Sequence, residues 1–506
     1  MNRQDISVVI PAQNEADTIR EVISEAKKMS PLEINVVVNG STDQTAEICR
    51  SLQCKVFEFS RPLGNDVGRA IGAYFTKGDI VLFLDGDIPV PAHLLQRFVA
   101  AIRKGHDVAL NNLSFLYDYG FPHYTTLAKM VLNRMMGRMD LSLNSLLAIP
   151  HALSRKAIAE IGWKNLAFPV VAQAIAVDKK LSIISPVTVD VITTNKRRDM
   201  HANIRNSPFP ESTERILGDH LEGLKYWIER YGSRGGLTDG FRNREFLRHY
   251  SVPERNRKAK RSAIIPVGEE KDTIREVIRS ARKAGADEII VVANGADEET
   301  VQRAMDTGAY VLVFKQRLGH NVGRAVGAAF STGDVLLFID GDFVIEPNDL
   351  IPFFQSVENG GVDIALNRLD SIFRQPDPIN SVKYFLNCCC RRPDLLNGSM
   401  TAVPHAIHRR VLDHIGFRSL MIPPLAQLKG ILAGFHIANV HYVDVITPNR
   451  IREDHKITGG TIPAFERIIG DHVEALDVLL QLTDSRGGFY DGNRYREMLN
   501  IVERVR

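Results

Sequence analysis

The heptapeptide "DTIREVI" occurs twice without change, at Asp17 and at Asp272, and it marks a duplication running the length of the 506-residue chain. "VGRAIGA" from Val67 returns as "VGRAVGA" from Val322, and "VLFLDGDIPV" from Val81 as "LLFIDGDFVI" from Leu336. The offset is 255 residues at Asn39/Asn294 and Asp85/Asp340, 254 at Pro150/Pro404, and 252 at Gly218/Gly470 and Ser233/Ser485. Such small slips mean loop deletions within one plan. A unit of this length is far beyond a solenoid repeat. The chain therefore reads as a whole domain written twice, 1–252 and 253–506, with the seam near "SVPERNRKAKRSAIIP" and its basic run Arg255–Arg261 as a solvated linker.

Within each copy apolar bursts alternate with helical patterns. "ISVVIP" precedes "ADTIREVISEAKKM", where Ile19, Val22, Ile23 and Ala26 form a helical stripe. "INVVVNG", "KVFEF", "DIVLFLDGD" and "DVALNN" follow, with helical stretches between them. This predicts an α/β fold, a mainly parallel sheet with helices on both faces. Ligands of such sheets bind beyond the carboxyl ends of the strands, which puts Pro11, Asn39 and Asp85 on one rim.

Composition narrows the function. A net charge of +3 offers no concentrated basic face for nucleic acid. No signal peptide pattern and no apolar run of roughly 18–20 residues is present, which points to a cytoplasmic chain without a transmembrane segment; peripheral membrane contact stays open. The five cysteines, Cys49, Cys54 and Cys388 to Cys390, lack the spacing of a disulfide framework. The adjacent trio aligns with Arg134, Met135 and Met136, so it reads as soft packing on a helix rather than a metal site.

Asp85 and Asp87 lie two apart and in an extended segment face one side, with Gly86 allowing close approach. Paired carboxylates of this kind suit a hard divalent cation, Mg²⁺ or Mn²⁺, that is shared with a diphosphate. Asp340 and Asp342 repeat the arrangement at the equivalent point of the second copy.

In their order and spacing, "SVVIPAQNEADTI", "VVVNGSTDQT", "VGRAIGA" and "GDIVLFLDGD" resemble the nucleotide-sugar half of a family 2 glycosyltransferase with the GT-A fold, and the second copy does the same. A fainter likeness is to the glucosyl-3-phosphoglycerate synthase type. The resemblance implies two tandem GT-A domains that move a sugar from a UDP- or GDP-sugar to a small-molecule or glycan acceptor. It implies nucleoside contacts at Pro11 and Glu15 and at Pro266 and Glu270, with Asn39 and Asn294 near the base. Arg69 and Arg324 would reach the diphosphate, Asp85 and Asp340 would hold the ribose or a metal-bound water, and Asp87 and Asp342 would ligate the metal. His201 and His455, at one offset of 254 in "NKRRDMH" and "NRIREDH", are candidate third ligands.

The pattern departs from inverting members of that family at the acceptor side. Where they carry an acidic pair, this chain has Gln173 and Gln427, and an amide is no base at neutral pH. Either the acceptor is a phosphate or carboxylate needing no base, or configuration is retained, or a base such as Asp190/Asp444 comes from elsewhere. Asp219/His220 and Asp471/His472 repeat on an apparent helix and read as packing. Two donor pockets are expected; the contrasting reading is a non-catalytic nucleotide-sugar binder, or one silent domain.

Overall fold

The run Ile6–Ala12 (β1) is buried almost throughout and is flanked on both sides by parallel partners, Glu33–Asn39 (β2) and Ile80–Phe83 (β4). Lys55–Phe59 (β3) adds to the outer edge of β2, and Val108–Asn111 (β5), His151–Ser154 (β6) and Ile183–Val187 (β7) complete a seven-stranded sheet of order β3-β2-β1-β4-β6-β5-β7. Only β6 runs antiparallel to its neighbours. The second copy builds the same sheet from Arg261–Val267 (β8), Glu288–Asn294 (β9), Tyr310–Phe314 (β10), Val335–Phe338 (β11), Ile364–Asn367 (β12), His405–His408 (β13) and Ile437–His441 (β14), ordered β10-β9-β8-β11-β13-β12-β14. This computed structural model describes residues 5–120, 123–191, 207–248, 258–370, 377–447 and 462–504. The expected α/β fold with a mainly parallel sheet is what each copy adopts.

Both faces of each sheet are covered by helices. Ile19–Lys27 turns Ile19, Val22, Ile23 and Ala26 inward, the stripe that its 3-4-7 spacing dictates. Burial of each large aliphatic chain of this kind contributes about 1.5–3 kcal/mol. On the opposite face the helix Val67–Tyr74 lies directly on β1, because a Cβ at Gly72 would stand 2.4 Å from Val9 Cγ1. Gly327 repeats this against Ile264 at 2.5 Å. The cysteine trio behaves as packing: Cys388 and Cys389 are buried on the helix Pro378–Cys389, and burial pushes both thiols well up.

The compact bodies of the chain do not coincide with its two repeats. One comprises residues 1–232 together with 480–506, and the other residues 233–479. The segment after the long helix Glu211–Tyr231 thus belongs to the second body, and its equivalent after Pro463–Leu482 to the first. Leu499 and Val502 lie in the core of the first body beside Val67 and Ile71, and Leu247 lies in that of the second beside Val322 and Val326.

Candidate active site

Chain direction sets the site. From β1 the chain winds outward through β2 and β3, then returns to the other side of β1 as β4, so a crevice opens above the carboxyl ends of β1 and β4. Pro11 sits at one lip and Asp85 at the other, as the rule for open α/β sheets requires. Gly86 is pressed onto the first lip: a Cβ there would meet Ala12 Cβ at 3.1 Å and Pro11 O at 3.3 Å, and Thr18 Oγ1 donates to Gly86 O at 2.9 Å. At Gly341 a Cβ would stand 2.6 Å from Val267 Cγ1, and Thr273 Oγ1 donates to Gly341 O at 2.6 Å. Each Asp-Gly-Asp is therefore docked on the first strand of its own sheet.

Arg69 Nη2 donates to Asp85 Oδ1 at 2.6 Å, and Arg324 Nη2 to Asp340 Oδ1 at 2.8 Å. Burial would discharge the Arg69 guanidinium, but Asp85 and Asp66 hold it firmly protonated. His151 lies below, its ring against Phe83; burial, reinforced by Arg69, pushes it down to about 3, so it is neutral, and its Nδ1 stands 3.0 Å from Ala148 O. His405 repeats this at 2.8 Å from Ala402 O. Asp87 is buried and Asp342 half-buried. An oxygen-only donor set of this sort fits Mg²⁺ or Mn²⁺. His201 and His455 lie outside the described residues.

Glu15 is buried, with its backbone N–H donating to Thr45 Oγ1 at 2.9 Å, and Glu270 Oε2 accepts from Gly268 N. Asn39 and Asn294 reach the rim, but their amides fasten the next loop. Asn39 Oδ1 accepts from Leu63 N and its Nδ2 donates to Gly64 O at 3.4 Å. Asn294 takes Leu318 N at 2.5 Å and gives to Gly319 O at 3.1 Å. The loop held this way leads into the helix that carries the arginine.

The family model for glycosyl transferase family 2 matches residues 7–160 and again 262–416, the stretches that carry both crevices. The chain belongs to glycosyltransferase family 2. Its curated relatives in the family include glycosyltransferase AglE of Haloferax volcanii, 34% identical over 23% of this chain and 41% of that protein. Another is the undecaprenyl-phosphate 4-deoxy-4-formamido-L-arabinose transferase of Edwardsiella ictaluri, 32% identical over 21% of this chain and 36% of that protein. The chain thus spans less than half the length of the curated relatives it matches. Among solved structures, glucosyl-3-phosphoglycerate synthase from Mycobacterium tuberculosis, in complex with Mn²⁺, UDP and phosphoglyceric acid, is 19% identical at a TM-score of 0.32, covering 48% of this chain and 82% of that one.

The two glutamines of this family 2 chain are both buried. Gln173 and Gln427, placed at the acceptor side by their position, are 2% and 1% exposed. Gln173 Oε1 accepts from Leu146 N at 2.8 Å, and its Nε2 donates to Asn133 Oδ1 at 2.6 Å and Asn144 O at 3.2 Å. Gln427 makes the same three bonds to Met400, Asn387 and Gly398. Their polar atoms are engaged inside the core. Asp190 and Asp444 are exposed, Asp444 Oδ1 accepting from Ile446 N and Thr447 N.

Sequence reading did not find a further set of charged residues. Asp219 and His220 are neighbours with different partners: His220 Nδ1 stands 2.6 Å from Ile216 O, whereas Asp219 is gripped by Arg486 and Arg494. Asp66, which if bare would repel a diphosphate, accepts from Arg69 and stands 3.3 Å from Arg494 Nη2 and 3.7 Å from Arg215 Nη1. A signal existed: Arg215, Asp219, Glu222, Arg234, Asp239, Arg242 and Arg244 all recur 252 residues later.

Proposed function

We propose that the chain is a metal-dependent glycosyltransferase that takes its sugar from a nucleotide-diphosphate sugar and holds a donor pocket in each repeat. The observation that carries this reading is the twofold coincidence of the family 2 match with an Arg–Asp pair at the lip of each crevice, Arg69–Asp85 and Arg324–Asp340. The arginine offers N–H donors to phosphate oxygens, while Asp85 fixes its plane. Asp87 and Asp342 are the carboxylates that would hold Mg²⁺ or Mn²⁺. The cation, when bound, lowers the cost of the charge that develops on the leaving diphosphate. Pro11 and Glu15, with Pro266 and Glu270, line the nucleoside side; Asn39 and Asn294 shape it by fixing the loop.

The acceptor reading follows from the buried glutamines. With no base at that position, an acceptor already ionised at neutral pH is the simplest partner, and the relative from Edwardsiella ictaluri carries a phosphorylated lipid, undecaprenyl phosphate, in its name. No described helix is long and apolar enough to cross a membrane. A cytoplasmic enzyme acting on a phosphorylated acceptor fits these features. The test is a screen of UDP-, GDP- and other nucleotide sugars with and without Mn²⁺ or Mg²⁺, read as released nucleotide in full-length Asp87→Ala and Asp342→Ala. Each variant should retain turnover at its intact crevice, and the double variant should have none. Turnover that survives in the double variant would overturn the reading.

A further inference from the structure

The loop that presents Arg69 is held from two sides. Asn39 fastens it to the sheet, as described above. On its other side lies the C-terminal segment of the second repeat: Tyr495 N donates to Leu63 O at 2.8 Å, and Arg494 Nε to Asn65 O at 3.1 Å. The approach is so close that a Cβ at Gly64 (φ +78°) would stand 2.6 Å from Asn493 O and 2.7 Å from Arg494 Cα. In the second body the contributor is the first repeat: Asn243 N donates to Leu318 O at 2.7 Å, Arg242 Nε to His320 O at 3.0 Å, and a Cβ at Gly319 (φ +93°) would stand 2.5 Å from Arg242 Cα.

Each incoming arginine is anchored deep in the body it enters. The Arg494 side chain has no exposed surface and forks onto Asp219 at 2.7 and 2.8 Å. Arg242, equally enclosed, forks onto Asp471 at 3.0 and 2.9 Å. Arg486 and Arg234 second these contacts at 2.8 Å each. Bidentate, buried guanidinium–carboxylate pairs fix geometry as well as charge.

We propose that Arg494 and Arg242 are positioning residues exchanged between the repeats. Arg494 sets the loop and helix that present Arg69 and Asp85, and Arg242 does so for Arg324 and Asp340, so each crevice is completed by the repeat that does not contain it. This rests on the donor-site reading above, and it adds that the duplication is maintained by need: neither repeat carries a complete site in its own sequence.

The test uses the full-length chain. Backbone deuterium exchange of residues 63–75 and 318–330 is compared in wild type, Arg494→Ala and Arg242→Ala. Arg494→Ala should speed exchange in 63–75 about tenfold, the loss a charged hydrogen bond leaves, with 318–330 unchanged, and Arg242→Ala should do the reverse. Unchanged exchange in 63–75, or equal loosening of both segments, overturns the proposal. In the Asp342→Ala background, Arg494→Ala should raise the donor KM about tenfold with less effect on kcat, and an unaltered KM counts against it. Should Arg494→Ala fail to fold, Arg494→Lys keeps the charge and loses the fork, and the same exchange criterion applies. Absence of donor turnover in the Asp342→Ala parent would sink the reading of a working donor pocket in each repeat instead, and the exchange measurement would still decide this one.

Discussion

Arg69 Nη2 and Asp85 Oδ1 stand 2.6 Å apart at the lip of the first crevice, and Arg324 and Asp340 reproduce the contact at 2.8 Å in the second. A guanidinium so fixed needs no reorganisation to meet a phosphate, and preorganisation of this kind is what a charged ligand site requires. Arg69→Ala in the Asp342→Ala background should lower donor kcat/KM by about 10- to 100-fold, on the scale of one lost charge-assisted hydrogen bond. Arg69→Lys should recover only part, because an ammonium has no planar fork. Steady-state nucleotide release gives both values.

Asp66 and Asn321 occupy one position in the two copies, each in the left-handed region at φ 66° and 62°, which short amide and carboxylate side chains tolerate. Only Asp66 is an anion, and Arg69, Arg215 and Arg494 converge on it. Asp66→Asn should therefore destabilise the first body by about 3 kcal/mol, the cost of removing one partner from a buried ion network. Urea unfolding measures it; a change below about 0.5 kcal/mol, the range of ordinary surface substitutions, would contradict the network.

Gln173→Glu puts a carboxylate at the position expected on the acceptor side, yet here Nε2 faces two acceptor oxygens, Asn133 Oδ1 and Asn144 O. A carboxylate would oppose both. The variant should lose about 2–4 kcal/mol of stability and gain no turnover. Faster transfer would show that the position does reach an acceptor.

Burial would raise the Asp219 carboxyl, but Arg494, Arg215 and Arg486 outweigh it and hold it well below the usual range. A depressed folded pKa adds stability that is present above the unfolded value of about 3.9 and drains away as pH falls through the folded one. Asp219→Asn should thus be less stable than wild type at pH 7 by about 3–5 kcal/mol, with the gap closing below about pH 4. Urea midpoints across pH 2.5–7 follow this, and a gap independent of pH would refute it.

Burial pushes the Lys383 ammonium down to about 8 despite Asp377 nearby. The unfolded lysine titrates near 10.4, so the unfolded chain binds more protons between about pH 8 and 10.4 and stability rises across that window. Lys383→Met removes the charge from the interior. It should be more stable than wild type at pH 7 by about 1–3 kcal/mol and lose the alkaline rise. A thermal melt series at pH 7, 8.5 and 10 checks both.

Much of this was readable along the chain. The strands beginning at Ile6 and Ile80 and the docked Asp85–Gly86–Asp87 announce themselves, because strand burial and turn chemistry are local. The partners of Gln173 were not legible for a physical reason: helix periodicity places a side chain on a face, but it does not say that this face meets the amides of Leu146 and Asn133. Asn39 points to the rim as expected, yet its bonds to Leu63 and Gly64 depend on a loop path that no spacing rule encodes.

Residue order alone determined that two sheets would form, with the same strand sequence and an acidic lip on each, since period, burial and glycine placement act within a few residues. Packing decided which copy receives each arginine. The segments around Arg242 and Arg494 share the charges that Asp219 and Asp471 need, so either could satisfy either site. Only the path of the chain through space distinguishes them, because identical contacts contribute alike whether made within a repeat or across the pair.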